Sequence, residues 1–445
     1  MGSLFFTPPN ATVYFGARRY MDDLELKYKD VIKDLEGWVK INSVEGESAQ
    51  DAPFGKAVKD ALVYGLELGK RMGFEVINYD NYVGEIVWGD GEEIGIIGHT
   101  DIIPAGDGWE TDPFTLTLKD GKLFGRGTTD DKGPTLCALY AMKQLKDEGF
   151  APKKKIRFIL GCNEETDWGD VAHFNKVSKF PKYGFSPDGD FPVVFAEKGP
   201  NELIFRYDLG KDTTVKKFVG GTVVNAVCGK CTFVAKIDEE LIKKHGLVLE
   251  NGEIVSIGKT AHGSMPEKGK NAILPALGYL ADVGENVQPL IDYLFDDKLG
   301  VQKVRSVAGN VTMSPDLVSL DGTAIVLNVD FRVPAEHTLE EMLGFIDRMG
   351  IPYTAIKKRD PLYVPKDDKF VQTLINAYNK ATGENKEPVS QCGGTFASVF
   401  EKGCAFGPEF DGRSNNIHEP NEYLPLAELD LMIKIYKQAI KDLCE

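Results

Sequence analysis

Six histidines stand in this 445-residue chain, and two of them lie in segments crowded with carboxylates. His99 opens the triplet His99-Thr100-Asp101. In extended chain, residues i and i+2 face the same side, so Asp101 can reach the ring of His99. A carboxylate on the far nitrogen fixes the tautomer of a metal-binding histidine and raises its basicity. His418, in NNIHEPNEYL, sits on a loop before the last helical segment. Between the two come Asp130-Asp131 in GRGTTDDKG, Glu164-Glu165 in CNEET and Asp188 in SPDGD.

An aspartate between two cations can bridge them with its two oxygens, as metals about 3.5–4 Å apart require. Neighbouring residues on a strand face opposite ways. With Glu164 and Glu165 at a strand end, one carboxylate binds metal and the other turns to substrate and water as a general base. His99, Asp130, Glu165, Asp188 and His418 then supply two nitrogen and three carboxylate donors, with Asp130 shared and room left for water. Taken singly, each motif has a plain structural role. Aspartates commonly start helices, and paired glutamates are frequent on surfaces. His173 and His245 fall on helical faces and His337 opens a helix, so these three read as structural.

The elements that must position these groups are legible in the periodicity. Residues 22–41 and 55–72 are helical, FEVINY and VGEIVWG are strands, and IGIIGHTD is an apolar run that breaks off in polar residues. TLTLKDGKLFG is a hairpin turning at Asp120-Gly121. A helix follows over 133–148, closed by Gly149. IRFILGCNEET and YGFSPDGD repeat the pattern of an apolar strand running into acids. Such strands with helices between them imply an α/β layered sheet with its site beyond the strand C-termini. From about residue 200 to 360 the texture changes to alternating strands interrupted by helices near 271–284 and 338–348, which reads as an inserted α+β domain. The first pattern then resumes with a helix over 368–381, the Gly-rich QCGGTFAS, and an amphipathic helix over 426–443.

Composition sets limits. The formal charge of −16, from 52 Lys plus Arg against 68 Asp plus Glu, disfavours binding to a phosphate backbone. No apolar run is long enough to span a bilayer, and the first residues lack the basic leader and cleavage site of a signal peptide. Residues 1–21 are set apart as an N-terminal extension. Seven cysteines, an odd number, point to reduced thiols in the cytoplasm. Cys228 and Cys231 form a C-x-x-C with no second pair at zinc-finger spacing, and it reads as coincidence.

GHTDIIPAGDGW, GRGTTDDKG, CNEET, SPDGD and IHEPNE, in that order, resemble the motifs of the M20 family of co-catalytic metallopeptidases, and within it the PepV-like dipeptidases, also called carnosinases or Xaa-His dipeptidases. The resemblance runs from about residue 22 to the C-terminus. It implies a zinc-peptidase-like mixed sheet with helices on both faces, over 22–196 and 362–445, and an inserted lid over 197–361. It implies two divalent metal ions, zinc first, with manganese or cobalt as alternatives. Asp130 would bridge, His99 and Asp188 would hold one ion, and Glu165 and His418 the other. Glu164 would be the general base and Asp101 the residue orienting His99, with a cis peptide after Asp130. In the lid, His262 would stabilise the oxyanion, while Asn225 and Arg332 would hold substrate together with Gly393, Gly394 and Thr395. Phe396 and Ser398 depart from the related loop, which usually carries tyrosine and arginine there. The expected activity is hydrolysis of dipeptides, Xaa-His or broader, by a monomer. The alternatives are another M20 amidohydrolase (aminoacylase, carboxypeptidase or succinyl-diaminopimelate desuccinylase) and an inactive metal-binding homologue.

Overall fold

The structure is a computed structural model and describes residues 20–357, 359–410, 413 and 415–445. Of the N-terminal extension expected over 1–21, only the last two residues are among them. The chain divides into two units. One runs to Phe195 and returns over Val364–Val389 and Thr395–Glu445; the other takes Ala196–Tyr363 and Ser390–Gly394. No helix among the described residues is long and apolar enough to cross a membrane.

The first unit is built on a mixed sheet. Across it the strands run Glu75–Tyr79, Val83–Trp88, Lys155–Gly161, Glu93–His99, Tyr183–Ser186, Lys402–Ala405 and Val194–Glu197. Glu93–His99 is parallel to both Lys155–Gly161 and Tyr183–Ser186, with His99 opposite Gly161 and Ile96 opposite Phe185. The three apolar strands that break off in polar residues therefore end at one edge of the sheet. Their side chains are buried on both faces, as parallel strands covered by helices must be. The helix Lys132–Asp147 packs on this sheet and against the final helix, Leu426–Cys444.

Close approach accounts for two glycines beside the strand ends. A Cβ on Gly98 would stand 1.8 Å from Thr135 Oγ1 and 2.6 Å from Asp131 Oδ2. A Cβ on Gly161 would meet the Phe396 ring at 2.3 Å. Any larger residue at either position would push the helix or the aromatic wall away from the sheet edge.

The second unit holds an eight-stranded sheet in the order Val248–Glu250, Glu253–Ile257, Lys230–Val234, Lys217–Gly220, Thr312–Asp321, Ala324–Val333, Gly199–Asp208 and Tyr353–Lys357. Every pairing in it is antiparallel. Its core joins Phe205, Phe233, Leu327 and Phe331 of the sheet to Leu277, Leu290 and Met342 of the helices Ile273–Asp282, Gln288–Leu294 and Leu339–Asp347. The last of these starts with a capping box between Thr338 and Glu341. Two helices here, Glu239–Lys244 and Gln288–Leu294, go beyond the two expected from periodicity. At six and seven residues they are too short to show a helical period.

Between Pro315 and Leu317 the register of the longest hairpin shifts, leaving Asp316 as the extra residue of a bulge. Cys228 and Cys231 are buried in this unit's core beside Phe233, and both thiols donate to backbone carbonyls.

Candidate metal centre

His99 is the last residue of its strand, and Thr100 and Asp101 continue beyond the sheet edge. The next strand stops at Gly161, so Glu164 and Glu165 lie in the turn past it rather than on the strand itself. Strand alternation therefore does not separate them, which corrects the reason expected for their two roles. Both carboxylates face the His99 ring: potential ligand atoms of His99, Glu164 and Asp188 lie within 4.8 Å of one another, as do those of His99, Asp130 and Glu165.

Asp130 stands between two histidines. Its Oδ1 is 2.9 Å from His99 Nε2 and its Oδ2 is 2.8 Å from His418 Nε2. Asp188 Oδ2 lies 3.8 Å from His99 Nε2, and Glu165 Oε2 lies 3.4 Å from His418 Nε2. On the other side of the ring, His99 Nδ1 is 3.0 Å from the Asp101 carbonyl and 3.4 Å from its Oδ1. Asp101 Oδ2 accepts from the Glu165 backbone N–H at 3.1 Å, so one carboxylate steadies two donors. The peptide from Asp130 to Asp131 is cis.

The electrostatics of this cluster call for positive charge. Burial and the neighbouring Asp130 push the Glu165 carboxyl above its ordinary range, and burial with Asp130 pushes Asp188 up to about 7. Burial alone would depress the histidines, yet the carboxylates outweigh it: His99 is raised well above its usual value and His418 to about 11. At the rim, burial and Asp190 push Glu409 up to about 8. Carboxylates crowded at this density hold protons unless cations relieve them. Imidazole and carboxylate donors are the set that divalent transition metals take, so these residues fit a pair of such ions.

A second layer of buried acids fixes the backbone beneath the cluster, and sequence reading missed all three of its strongest members. Glu422 is fully buried. Its Oε1 accepts from the N–H groups of Thr129 at 2.8 Å and Asp130 at 3.1 Å; its Oε2 accepts from Gly127 N at 3.1 Å and Arg126 Nη1 at 2.7 Å. Asp131 Oδ2 accepts from His99 N at 3.1 Å and Thr135 Oγ1 at 2.7 Å. Asp170 accepts from the N–H groups of Cys162, Asn163 and Val171, holding the start of the turn that carries Glu164. Burial is the main cause that pushes its carboxyl up to about 7. For Asp131 and Glu422 the one available signal was that GRGTTDDKG and NNIHEPNEYL carry more acids than metals need; Asp170 had none.

Phe396 walls the cluster from below. It is 1 % exposed, stacks edge-on to His99 at 6.3 Å between centroids and contacts Trp168 at 4.9 Å. Ser398 turns back to donate to the Thr395 carbonyl at 3.0 Å. Thr395 caps this short turn through Ala397 N.

The other expected site residues lie in the second unit. Asn225 has a φ of 81°; its N–H donates to Asp316 Oδ2 at 3.0 Å and its carbonyl accepts from Gly263 N at 2.6 Å. A bridge joins Ala226 to His262. Ser264 N donates to His262 Nδ1 at 3.1 Å, which makes Nδ1 an acceptor and puts the proton of the neutral ring on Nε2. Arg332 is buried and forked onto Asp330, with Nε to Oδ1 at 2.7 Å and Nη2 to Oδ2 at 2.9 Å. Gly393 and Gly394 belong to this unit as well. His173, His245 and His337 pair with Asp80, Asp282 and Glu341.

The model of peptidase family M20/M25/M40 matches residues 95–442. The chain belongs to this family. A β-Ala-Xaa dipeptidase of Lactobacillus delbrueckii subsp. lactis is 34 % identical over 94 % of this M20 chain and 97 % of its own length. Among solved structures, human carnosine dipeptidase 1 aligns with a TM-score of 0.58 at 15 % identity, over 98 % of this chain and all of that one. A dipeptidase of Saccharomyces cerevisiae aligns with a TM-score of 0.59 at 15 % identity, over 95 % and 97 %. These last two likenesses are of fold. As an M20 member the chain is a peptidase-family enzyme.

Proposed function

We propose that this chain is a two-metal dipeptidase. The observation that carries the reading is the meeting of His99, Asp130, Glu164, Glu165, Asp188 and His418 at one sheet edge. The full-length likeness to a β-Ala-Xaa dipeptidase narrows the substrate to short peptides. In this reading Asp130 would bridge the ions, His99 and Asp188 would hold one, and Glu165 and His418 the other. When bound, two divalent cations supply Lewis acidity, polarising the scissile carbonyl and lowering the pKa of a water toward neutrality. Zinc suits the donors best, with manganese and cobalt as alternatives.

The chain's own residues do the rest. Glu164 takes the proton from the attacking water and passes it to the leaving amine. Asp101 keeps His99 oriented, with Nε2 turned to Asp130. His262 offers Nε2–H to the developing oxyanion, a role that the Ser264-held tautomer supports. Asn225, Arg332 and the Gly393-Gly394-Thr395 loop hold the substrate ends. The inserted stretch over 197–361, as large as the PepV-like resemblance implies, supports a monomer. Free thiols at all seven cysteines support a reducing compartment, the cytoplasm.

The test is a panel of dipeptides, including Xaa-His, with tripeptides and N-acyl amino acids, given to metal-reconstituted protein. Dipeptides should dominate. Glu164→Gln should lose roughly 10²–10⁴ in kcat while retaining both metals. Hydrolysis of acyl amino acids without dipeptides would move the chain to the aminoacylase reading. Inactivity with metals bound would make it a binding homologue.

A further inference from the structure

One peptide joins the two glutamates of the centre, and it is gripped from two sides. The N–H of Glu165 donates to Asp101 Oδ2 at 3.1 Å, and the carbonyl of Glu164 accepts from the indole Nε1–H of Trp168 at 2.9 Å. In a trans peptide these two groups point in opposite directions, so the partners fix one plane from its opposite edges. The Glu164 and Glu165 side chains leave from the Cα atoms at the two ends of that plane. A turn of the plane would break both bonds and re-aim both carboxylates. Because the chain has already left the strand at Gly161, strand alternation does not aim them; this peptide does.

Trp168 delivers its N–H from a left-handed backbone, with φ 58° and ψ 34°. A bulky residue in that geometry is an outlier that persists where its surroundings enforce it. Asn163 does so here: its carbonyl accepts from Trp168 N at 3.0 Å and its Oδ1 from Gly169 N at 2.9 Å. The helix Gly169–Val177 begins at once, with Ala172 N donating to the Trp168 carbonyl at 3.1 Å. The reversal folds the indole back over the turn. Glycine would take this backbone without steric cost, but it has neither ring nor N–H, so what tryptophan contributes is the indole. Its ring meets Phe396 at 4.9 Å between centroids, and Phe396 stands edge-on to His99 at 6.3 Å.

We propose that Trp168 is a positioning residue. Its indole N–H, opposed by Asp101, sets the peptide so that the Glu164 carboxylate faces the attacking water and the Glu165 carboxylate a metal ion, while its ring braces Phe396 beside His99. The inference rests on the two-metal reading with Glu164 as base. The N–H serves proton transfer and the ring serves metal binding, so substitution separates the two contributions of one side chain.

The experiment uses the full, metal-reconstituted chain. Trp168→Phe keeps a ring against Phe396 and removes the N–H. It should lower kcat roughly 10- to 100-fold, with KM changed less than about threefold and metal affinity, by titration calorimetry, within about twofold. Trp168→Gly suits the left-handed backbone and removes the ring as well, so kcat should fall at least as far and metal affinity by about tenfold or more. In the Glu164→Gln background, Trp168→Phe should lower the residual kcat less than about twofold, because the group it positions no longer takes the proton. Wild-type kcat in Trp168→Phe or in Trp168→Gly overturns the proposal. So does an equal fractional loss with and without Glu164→Gln, the mark of a general packing effect. Wild-type turnover in Glu164→Gln alone removes the base assignment, and the proposal with it. Cleavage of N-acyl amino acids in place of dipeptides removes only the substrate assignment, and the same comparisons on those substrates still decide Trp168.

Discussion

Glu422→Gln is the sharpest probe of how the metal loop is held. Glu422 is fully buried and Arg126 is 2 % exposed. Each carboxylate oxygen serves two donors: Thr129 N and Asp130 N on one, Gly127 N and Arg126 Nη1 on the other. An amide keeps one acceptor oxygen, and its NH₂ must face two of those donors. Two hydrogen bonds to a charged acceptor are lost at about 1.5–3 kcal/mol each. Among the described residues, Arg126 then keeps its charge with two long hydrogen bonds, at 3.4 Å, to the Ala105 and Glu419 carbonyls and with the Trp109 ring 5.4 Å away. Breaking a buried ion pair from one side costs about 3–5 kcal/mol, which agrees with the sum of the bonds. At about 2–4 °C per kcal/mol for a unit of this size, the melting temperature should fall by about 6–20 °C. Because Asp130 N is one of the four donors, metal affinity should fall about 10- to 100-fold as well. Thermal melts by circular dichroism and metal titration check both. The control is Arg126→Met: alone it strands the Glu422 carboxylate, and combined with Glu422→Gln it should recover much of the loss. Wild-type melting in Glu422→Gln, or simple additivity in the double variant, would refute the buried-pair reasoning.

Two further outcomes follow from buried charges elsewhere. Burial, then Asp330, pushes the Asp316 carboxyl from 3.8 up to about 7. The folded state therefore binds the extra proton between those values, and its contribution is present below about pH 4 and lost as pH rises to about 7, at most about 4 kcal/mol. Melting curves should show this decline in the wild type and a flatter profile in Asp316→Asn; identical profiles would refute it. In the mixed sheet, Arg157 Nε donates to the buried Glu85 at 2.7 Å and Nη1 to Glu93 at 3.0 Å. Arg157→Met leaves Glu85 buried without its cationic partner, with the Tyr79 hydroxyl still donating at 2.8 Å, and should cost about 3–5 kcal/mol by urea unfolding, a loss that Glu85→Gln in the same chain should largely restore.

The sequence made the ligands visible because their chemistry is scarce. With six histidines in the chain, one at the end of an apolar strand and one on a late loop stood out against the remaining four. The parallel strands were legible for a similar reason: a short apolar run that stops abruptly in acids is the mark of a buried strand opening into a site. What was not legible depends on where the backbone goes. Glu422 looks like any loop acid four residues past His418, and its role exists only because the N–H groups of 127, 129 and 130 converge on it. Asp316 matters because a bulge turns it toward Asn225 N, and nothing in SPDLV signals a register shift. The alternation argument for Glu164 and Glu165 failed because it extended the strand past Gly161, where the chain already turns.

The buried charges of the metal centre do not balance. At the sheet edge of the first unit, acids outnumber cationic groups even with both histidines protonated, and several carboxyls hold protons as a result. That surplus is a cost unless divalent ions offset it, so the site is built to be completed by metal rather than to be stable alone.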